Sequence, residues 1–144
     1  MSIEYNPENL ERISKLIIDN LSPDLLTNVY RSEMNRHPLV GYCHTASAAL
    51  QKIFTKEVIS LYRGMDDEDQ YHWWNVDKEG KVIDLTADQY YSLGKEPPYE
   101  NAQKMSMMGY RYAEKVYALL DRLERQLSPE AHHLRLVTNN LLNQ

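Results

Sequence analysis

The sequence predicts an α+β domain in which one central helix packs on a small antiparallel sheet. Three observations indicate this fold class. An apolar run without Gly or Pro follows Cys43 and is typical of a helix. Alternating segments that follow this run predict three strands. Apolar residues recur at helical spacing toward both ends of the chain. We therefore expect a single domain, with N-terminal helices in 1–40, a core in 41–90, and a loop and C-terminal helices in 91–144.

Composition narrows the class of protein. A chain of 144 residues is long enough to bury a core, and 42% hydrophobic and 26% charged residues are ordinary for a soluble domain. The net charge of −5 argues against a general nucleic-acid binder, which usually carries a basic face. A single cysteine cannot form an internal disulfide, and no signal-like or membrane-length apolar segment is present. These features predict a cytoplasmic protein without a membrane partner.

Two helix starts are predicted near the N-terminus. Asn6 followed by Pro7 is typical of a helix cap and first turn, and Ser22-Pro23-Asp24 repeats that signal. We expect both helices to pack on the rest of the domain, because their apolar residues form stripes that face a core. The first stripe contains Leu10, Ile13, Leu16, Ile17 and Leu21, and the second contains Leu25, Leu26, Val29 and Tyr30.

Cys43 occupies the start of the central helix. Together with Ser47, Leu50 and Phe54, it falls at helical spacing, so it is expected above an apolar stripe and pointing toward the core. A thiol at a helix N-terminus lies near free N–H groups and the positive end of the helix dipole, which favour the thiolate. A purely structural role is the alternative, because free cysteines are among the most buried residues in proteins.

The predicted sheet contains Val58 to Tyr62 and a hairpin formed by Tyr71 to Val76 and Lys81 to Leu85. In the hairpin, His72 shares a face with apolar neighbours, and Asp84 occupies a similar position. A buried imidazole and a buried carboxylate both need partners, and bonding each other is the simplest solution. The second ring nitrogen would then be available to Cys43. A His–Asp pair that only stabilises the hairpin is the alternative.

The remaining segments carry weaker signals. Asp66 to Asp69 lack the ligand spacing and glycine of an EF-hand, so a solvated loop is predicted. After Thr86 the sequence predicts a loop that either walls a cleft or only connects elements. An amphipathic helix is predicted from Tyr110 to Leu127, and another from Ser128. The adjacent His132 and His133 of that last helix would point in different directions, so no metal and no cofactor are expected.

The three central motifs resemble the core of transglutaminase-like proteins, which belong to the papain-like cysteine peptidase fold. The resemblance covers 41–86: Gly-x-Cys at a helix start, His-x-Trp in a strand, and Asp-Leu-Thr closing the next strand. Similar small proteins occur in bacteria and their phages. The resemblance implies that Cys43 is the nucleophile, His72 the base and Asp84 the orienting acid. The spacings of 29 and 12 residues between them make a minimal version of the core, and the helical flanks match no family member.

The resemblance also implies an oxyanion-binding group and a cleft. Papain-like sites use a side chain shortly upstream of the nucleophile for the oxyanion, and His37 lies six residues before Cys43, where papain has a Gln. The backbone N–H of Cys43 is a second candidate. Candidate cleft residues are Trp73, Trp74 and Tyr90.

The function expected from these residues is a cysteine hydrolase or acyltransferase acting on a peptide, a protein or a small amide. Attack by the thiolate gives an acyl-thioester; water as acceptor defines a peptidase, amidase or deamidase, and an amine defines a transglutaminase-like enzyme. The acidic loop Asp66 to Asp69 would favour a cationic substrate. The alternative is a non-enzymatic binding or structural protein that retains the papain-like fold. A third hypothesis, a nucleic-acid-associated accessory protein, is disfavoured by the charge.

Overall fold

The computed structural model describes residues 3–26, 39–106 and 114–127. The elements follow one another as α1 (Pro7–Asp19), a 3₁₀ turn (Pro23–Leu25), α2 (Cys43–Phe54), β1 (Ile59–Met65), β2 (Tyr71–Asp77), β3 (Val82–Ile83), α3 (Asp88–Tyr91), a second 3₁₀ turn (Tyr99–Asn101), β4 (Gln103–Met105) and a helical segment, α4, over 114–127.

The strands form one antiparallel sheet in the order β3-β2-β1-β4. The β1–β2 ladder is the longest and runs from the pair Ile59–Asp77 to the pair Met65–Tyr71. The predicted α+β class is confirmed, and the sheet is larger than predicted. The strand β4 was missed because its three residues, Gln-Lys-Met, show no apolar alternation. It is specified by pairing with β1, a long-range contact that local sequence does not encode.

Helix α2 covers one face of this sheet. Leu61, Asn75 and Ile83 are cross-strand partners on that face, and all three are buried. Asn75 Nδ2 donates to the Ser47 carbonyl oxygen at 2.9 Å, which fastens α2 to β2. Behind α2, apolar side chains of α1 and α4 complete the hydrophobic core: Ile13, Ile17, Val116, Leu119 and Leu123.

A second layer covers the opposite face of the sheet. His72 and Trp74 point to that face and are both buried, as the alternation predicts, but they lie on the side away from α2. The segment after β3 covers them. Gly64 of β1 lets this segment approach the sheet closely, because a Cβ atom there would lie only 2.5 Å from the Pro98 carbonyl oxygen. β2 is therefore buried on both faces from His72 to Asn75.

Several predicted boundaries need correction. The first strand is shifted to Ile59–Met65, and the third is reduced to Val82–Ile83. The stretch expected to be a loop after Thr86 contains the short helix α3. The second N-terminal helix is described only as the turn Pro23–Leu25, and the rest of it lies outside the described residues.

Both ends of the chain agree with prediction where they are described. Asn6 caps α1 by accepting from the backbone N–H of Asn9 at 2.8 Å. Residues 114–127 are helical, whereas the helix predicted from Ser128 lies outside the described residues. Over 3–26, 39–106 and 114–127, no helix is long and apolar enough to cross a membrane.

The position of His44 predicts sensitivity to acid. Its ring contacts Trp73 edge to face at 4.5 Å, and burial lowers its pKa from 6.5 to about 4. Because the unfolded chain binds the proton more readily, stability should be lost as the pH falls from 6.5 toward 4. The loss should approach about 3 kcal/mol.

Urea unfolding of wild type and His44→Phe near pH 7 and near pH 4.5 measures this loss. Phe keeps an aromatic contact with Trp73 and cannot titrate, so the variant should lose less stability on acidification than wild type. Equal losses in the two proteins would contradict the assignment.

Candidate active site

Three elements bring Cys43, His72 and Asp84 to one place. Cys43 is the first residue of α2, and His72 is the second residue of β2. The β2–β3 register pairs Asn75 with Ile83, so its continuation places Asp84 on the face of the sheet that His72 occupies. The turn that sets this register is held by Asp77, whose Oδ1 accepts from the backbone N–H groups of Glu79 and Lys81, both at 2.9 Å.

His72 and Asp84 form a buried pair. His72 Nε2 lies 2.6 Å from Asp84 Oδ2, and the two side chains are 0% and 3% exposed. Asp84 has two further donors: the Tyr99 hydroxyl donates to Oδ2 at 2.8 Å, and the Thr86 backbone N–H donates to Oδ1 at 3.2 Å. The carboxylate is thus hydrogen-bonded on both oxygens, as burial of a charged group requires.

Cys43 lies within hydrogen-bonding reach of the imidazole. Its Sγ is partly exposed and 4.0 Å from the Tyr71 carbonyl oxygen. Burial lowers the pKa of His72, but hydrogen bonds to Asp84 and Cys43, together with the negative charges of both groups, outweigh burial and raise that pKa to about 9. Because Asp84 occupies Nε2, Nδ1 is the nitrogen available to the thiol, and Gln89 Nε2 also lies 3.4 Å from it. The imidazole is mostly protonated at neutral pH.

Aromatic rings enclose the imidazole. Trp74 stacks on it with a centroid separation of 5.8 Å, and Tyr90 meets it edge to face at 4.7 Å. Trp73 lies on the opposite face of the sheet against His44. Both tryptophans are buried, so neither forms an exposed cleft wall; Trp74 packs on the imidazole, and Trp73 does not. Tyr90 is half-buried beside His72.

The acidic loop takes part in this packing. Asp66 Oδ1 accepts from the backbone N–H groups of Glu68 and Gln70, and its Oδ2 accepts from the Tyr90 hydroxyl at 2.7 Å. Lys95 Nζ lies 3.2 Å from Asp67 Oδ2. Asp67, Glu68 and Asp69 are exposed, as expected of a solvated loop, whereas Asp66 is half-buried. The expectation of a cationic substrate stays a prediction.

Sequence reasoning missed two side chains at the site. Tyr99 contacts Asp84, and Gln89 places Nε2 3.4 Å from His72 Nδ1 and 3.3 Å from Thr86 Oγ1. Neither residue belongs to a motif with a recognisable spacing, and only Pro97-Pro98 before Tyr99 hints at a fixed turn. His37, the candidate oxyanion residue, lies outside the described residues.

A metal centre does not form within the part of the chain that the structure describes, because no three His, Cys, Asp or Glu side chains there are grouped to hold an ion. What the site can do chemically is exchange a proton between a thiol and a buried imidazole while a carboxylate fixes the ring.

A family model described as YunG protein matches residues 10–128, a range that includes Cys43, His72 and Asp84. No curated protein and no solved structure matches the chain.

The contrasting burial of the site residues predicts different costs of substitution. Asp84→Asn should lower the free energy of unfolding by about 3 kcal/mol, because His72 would lose the charged partner that offsets its burial. Cys43→Ala should cost only about 1 kcal/mol or less, since a partly exposed thiol leaves little cavity. Urea titrations at pH 7 test both values, and an Asp84→Asn protein as stable as wild type would show that the pair does not stabilise the fold.

Proposed function

The chain belongs to the YunG protein family, and from that premise and its site we propose that it is a cysteine-dependent enzyme that transfers the acyl group of an amide through a thioester on Cys43. One observation carries the proposal: a buried imidazole is bonded to Asp84 at 2.6 Å and has its pKa raised by both Asp84 and Cys43. A His–Asp pair that only braced a hairpin would not need a thiol beside it.

The first half of the reaction forms the thioester. An imidazolium at His72 stabilises the Cys43 thiolate, which attacks the carbonyl carbon of the amide. As the C–N bond breaks, the proton on His72 Nδ1 passes to the leaving amine. Asp84 holds Nε2–H throughout and so keeps Nδ1 directed at the reacting atoms.

The second half releases the acyl group. Neutral His72 removes a proton from the acceptor, which attacks the thioester, and the thiolate leaves. Water as acceptor gives a carboxylic acid, and an amine gives a new amide. Hydrolysis and transfer therefore use the same three side chains and differ only in the acceptor.

The N-terminus of α2 supports stabilisation of the oxyanion. Within the described residues, the side chain of Tyr42, which precedes the helix, makes no capping hydrogen bond to it. The first backbone bond of the helix runs from the Ala46 N–H to the Tyr42 carbonyl oxygen. The N–H of Cys43 precedes that bond, so it is the group we assign to the oxyanion.

Alkylation with iodoacetamide tests the proposal without a known substrate. Cys43 is the only cysteine, so the rate read by mass spectrometry belongs to one site. Near pH 7 an ordinary thiol is only about 3% ionised. Wild type should therefore react about tenfold faster than His72→Ala or Asp84→Asn, because those variants lose the charge that stabilises the thiolate.

Cys43→Ala provides the control for labelling at other residues. The rate should be followed across the pH range in each protein. Superimposable profiles for wild type, His72→Ala and Asp84→Asn would refute the site and, with it, the proposed function.

A titration of His72 tests the contact with the thiol directly. In NMR spectra of the imidazole, wild type should titrate near the raised pKa of about 9. Cys43→Ala should titrate at lower pH, because one of the two groups that raise this pKa is removed while Asp84 remains. An unchanged midpoint would mean that Cys43 and His72 do not interact.

A further inference from the structure

We infer that Tyr99 is a positioning residue of this site: its hydroxyl fixes Asp84 and shares the carboxylate charge, so that His72 can both hold and release its proton. The inference rests on the proposed function. It adds a fourth side chain to the nucleophile, the imidazole and the carboxylate.

The geometry places two donors on one oxygen. Asp84 Oδ2 lies 2.6 Å from His72 Nε2 and 2.8 Å from the Tyr99 hydroxyl oxygen. Each donor draws on the same negative charge, so the phenol weakens the hold of Asp84 on the imidazole proton. With Thr86 N–H on Oδ1, the carboxylate also has no freedom to rotate away.

Tyr99 is held in place independently of this bond. It begins a 3₁₀ turn that passes over Gly64, where a Cβ atom would lie 2.5 Å from the Pro98 carbonyl oxygen. Asn101 Nδ2 donates to the Met65 carbonyl oxygen at 2.9 Å, and the Tyr99 ring packs edge to face on Trp74 at 5.0 Å. Tyr99→Phe should therefore remove the hydroxyl and leave the ring where it is.

Tyr99 donates to Asp84 as a neutral phenol. Burial, then the charge of Asp84 and its hydrogen bond, then Tyr91, raise the pKa of Tyr99, so the phenol stays neutral wherever the enzyme works. The titratable groups facing His72 from the elements around it are Cys43 on α2, Asp84 after β3, Tyr90 on α3 with Asp66 behind it, and Tyr99. Of these groups, Tyr99 is bonded to the same carboxylate oxygen as His72, Asp84 Oδ2.

The shared oxygen matters in the second half of the reaction. There His72 must be neutral to accept a proton from water or an amine. If Asp84 acted on the imidazole alone, His72 would keep its proton to higher pH and the thioester would be released more slowly. The hydroxyl of Tyr99 thus sets the balance between a stable thiolate–imidazolium pair and a usable base.

The test compares Tyr99→Phe with Tyr5→Phe. Tyr5 makes the same kind of bond, hydroxyl to Asp77 Oδ2 at 2.8 Å, away from the imidazole, and so is a matched control. NMR should show the His72 midpoint of Tyr99→Phe raised by about half a pH unit or more. The profile of Cys43 alkylation against pH should change with it, and Tyr5→Phe should match wild type in both measurements.

Each other outcome is decisive. A Tyr99→Phe protein that melts at lower temperature with an unchanged or lowered His72 midpoint would reduce Tyr99 to a structural residue and overturn the inference. The proposed function would still stand, provided that His72→Ala slows alkylation. If His72→Ala leaves alkylation unchanged, the proposed function fails whatever Tyr99→Phe does.

Discussion

The contact between His72 and Asp84 is the interaction on which the rest of the structure depends. A protonated imidazole and a carboxylate that are almost fully removed from water carry a desolvation cost of several kcal/mol per ion. Their short bond offsets part of that cost, and the Tyr99 hydroxyl and Thr86 N–H offset more. The layer formed after β3 both buries this pair and supplies two of its donors. The segment that buries the pair therefore also supplies hydrogen bonds that replace water around it.

The two faces of the sheet have different roles. The face under α2 packs against the hydrophobic core and carries the buried Asn75, which bonds α2, so it fixes where Cys43 lies. The opposite face contains aromatic rings and polar side chains that fix how His72 is charged and oriented. Cys43 and His72 thus belong to different layers and meet at the start of β2. A change in the hydrophobic core should alter the position of the thiol before it alters the charge of the imidazole.

The predictable parts of this molecule were those set by local chemistry. The apolar run after Cys43 specifies α2, and alternation about a turn specifies the hairpin that carries His72 and Asp84. The need of buried polar groups for partners was sufficient to expect the bond between them. The strand β4 and the contact of Tyr99 could not be predicted, because both depend on how 97–105 crosses β1. Nothing within those residues indicates that a phenol will reach a carboxylate.

The packing at Gly64 leaves little room for any side chain at that position. This glycine has no catalytic atom, yet a methyl group at this position would collide with the backbone at Pro98 and crowd both Trp74 and Asn101. All three contacts involve segments that pack on His72 or carry Tyr99. A side chain at this position would therefore disturb the packing around His72 and Tyr99. The shape of the site thus depends on a position that is defined by the absence of a side chain.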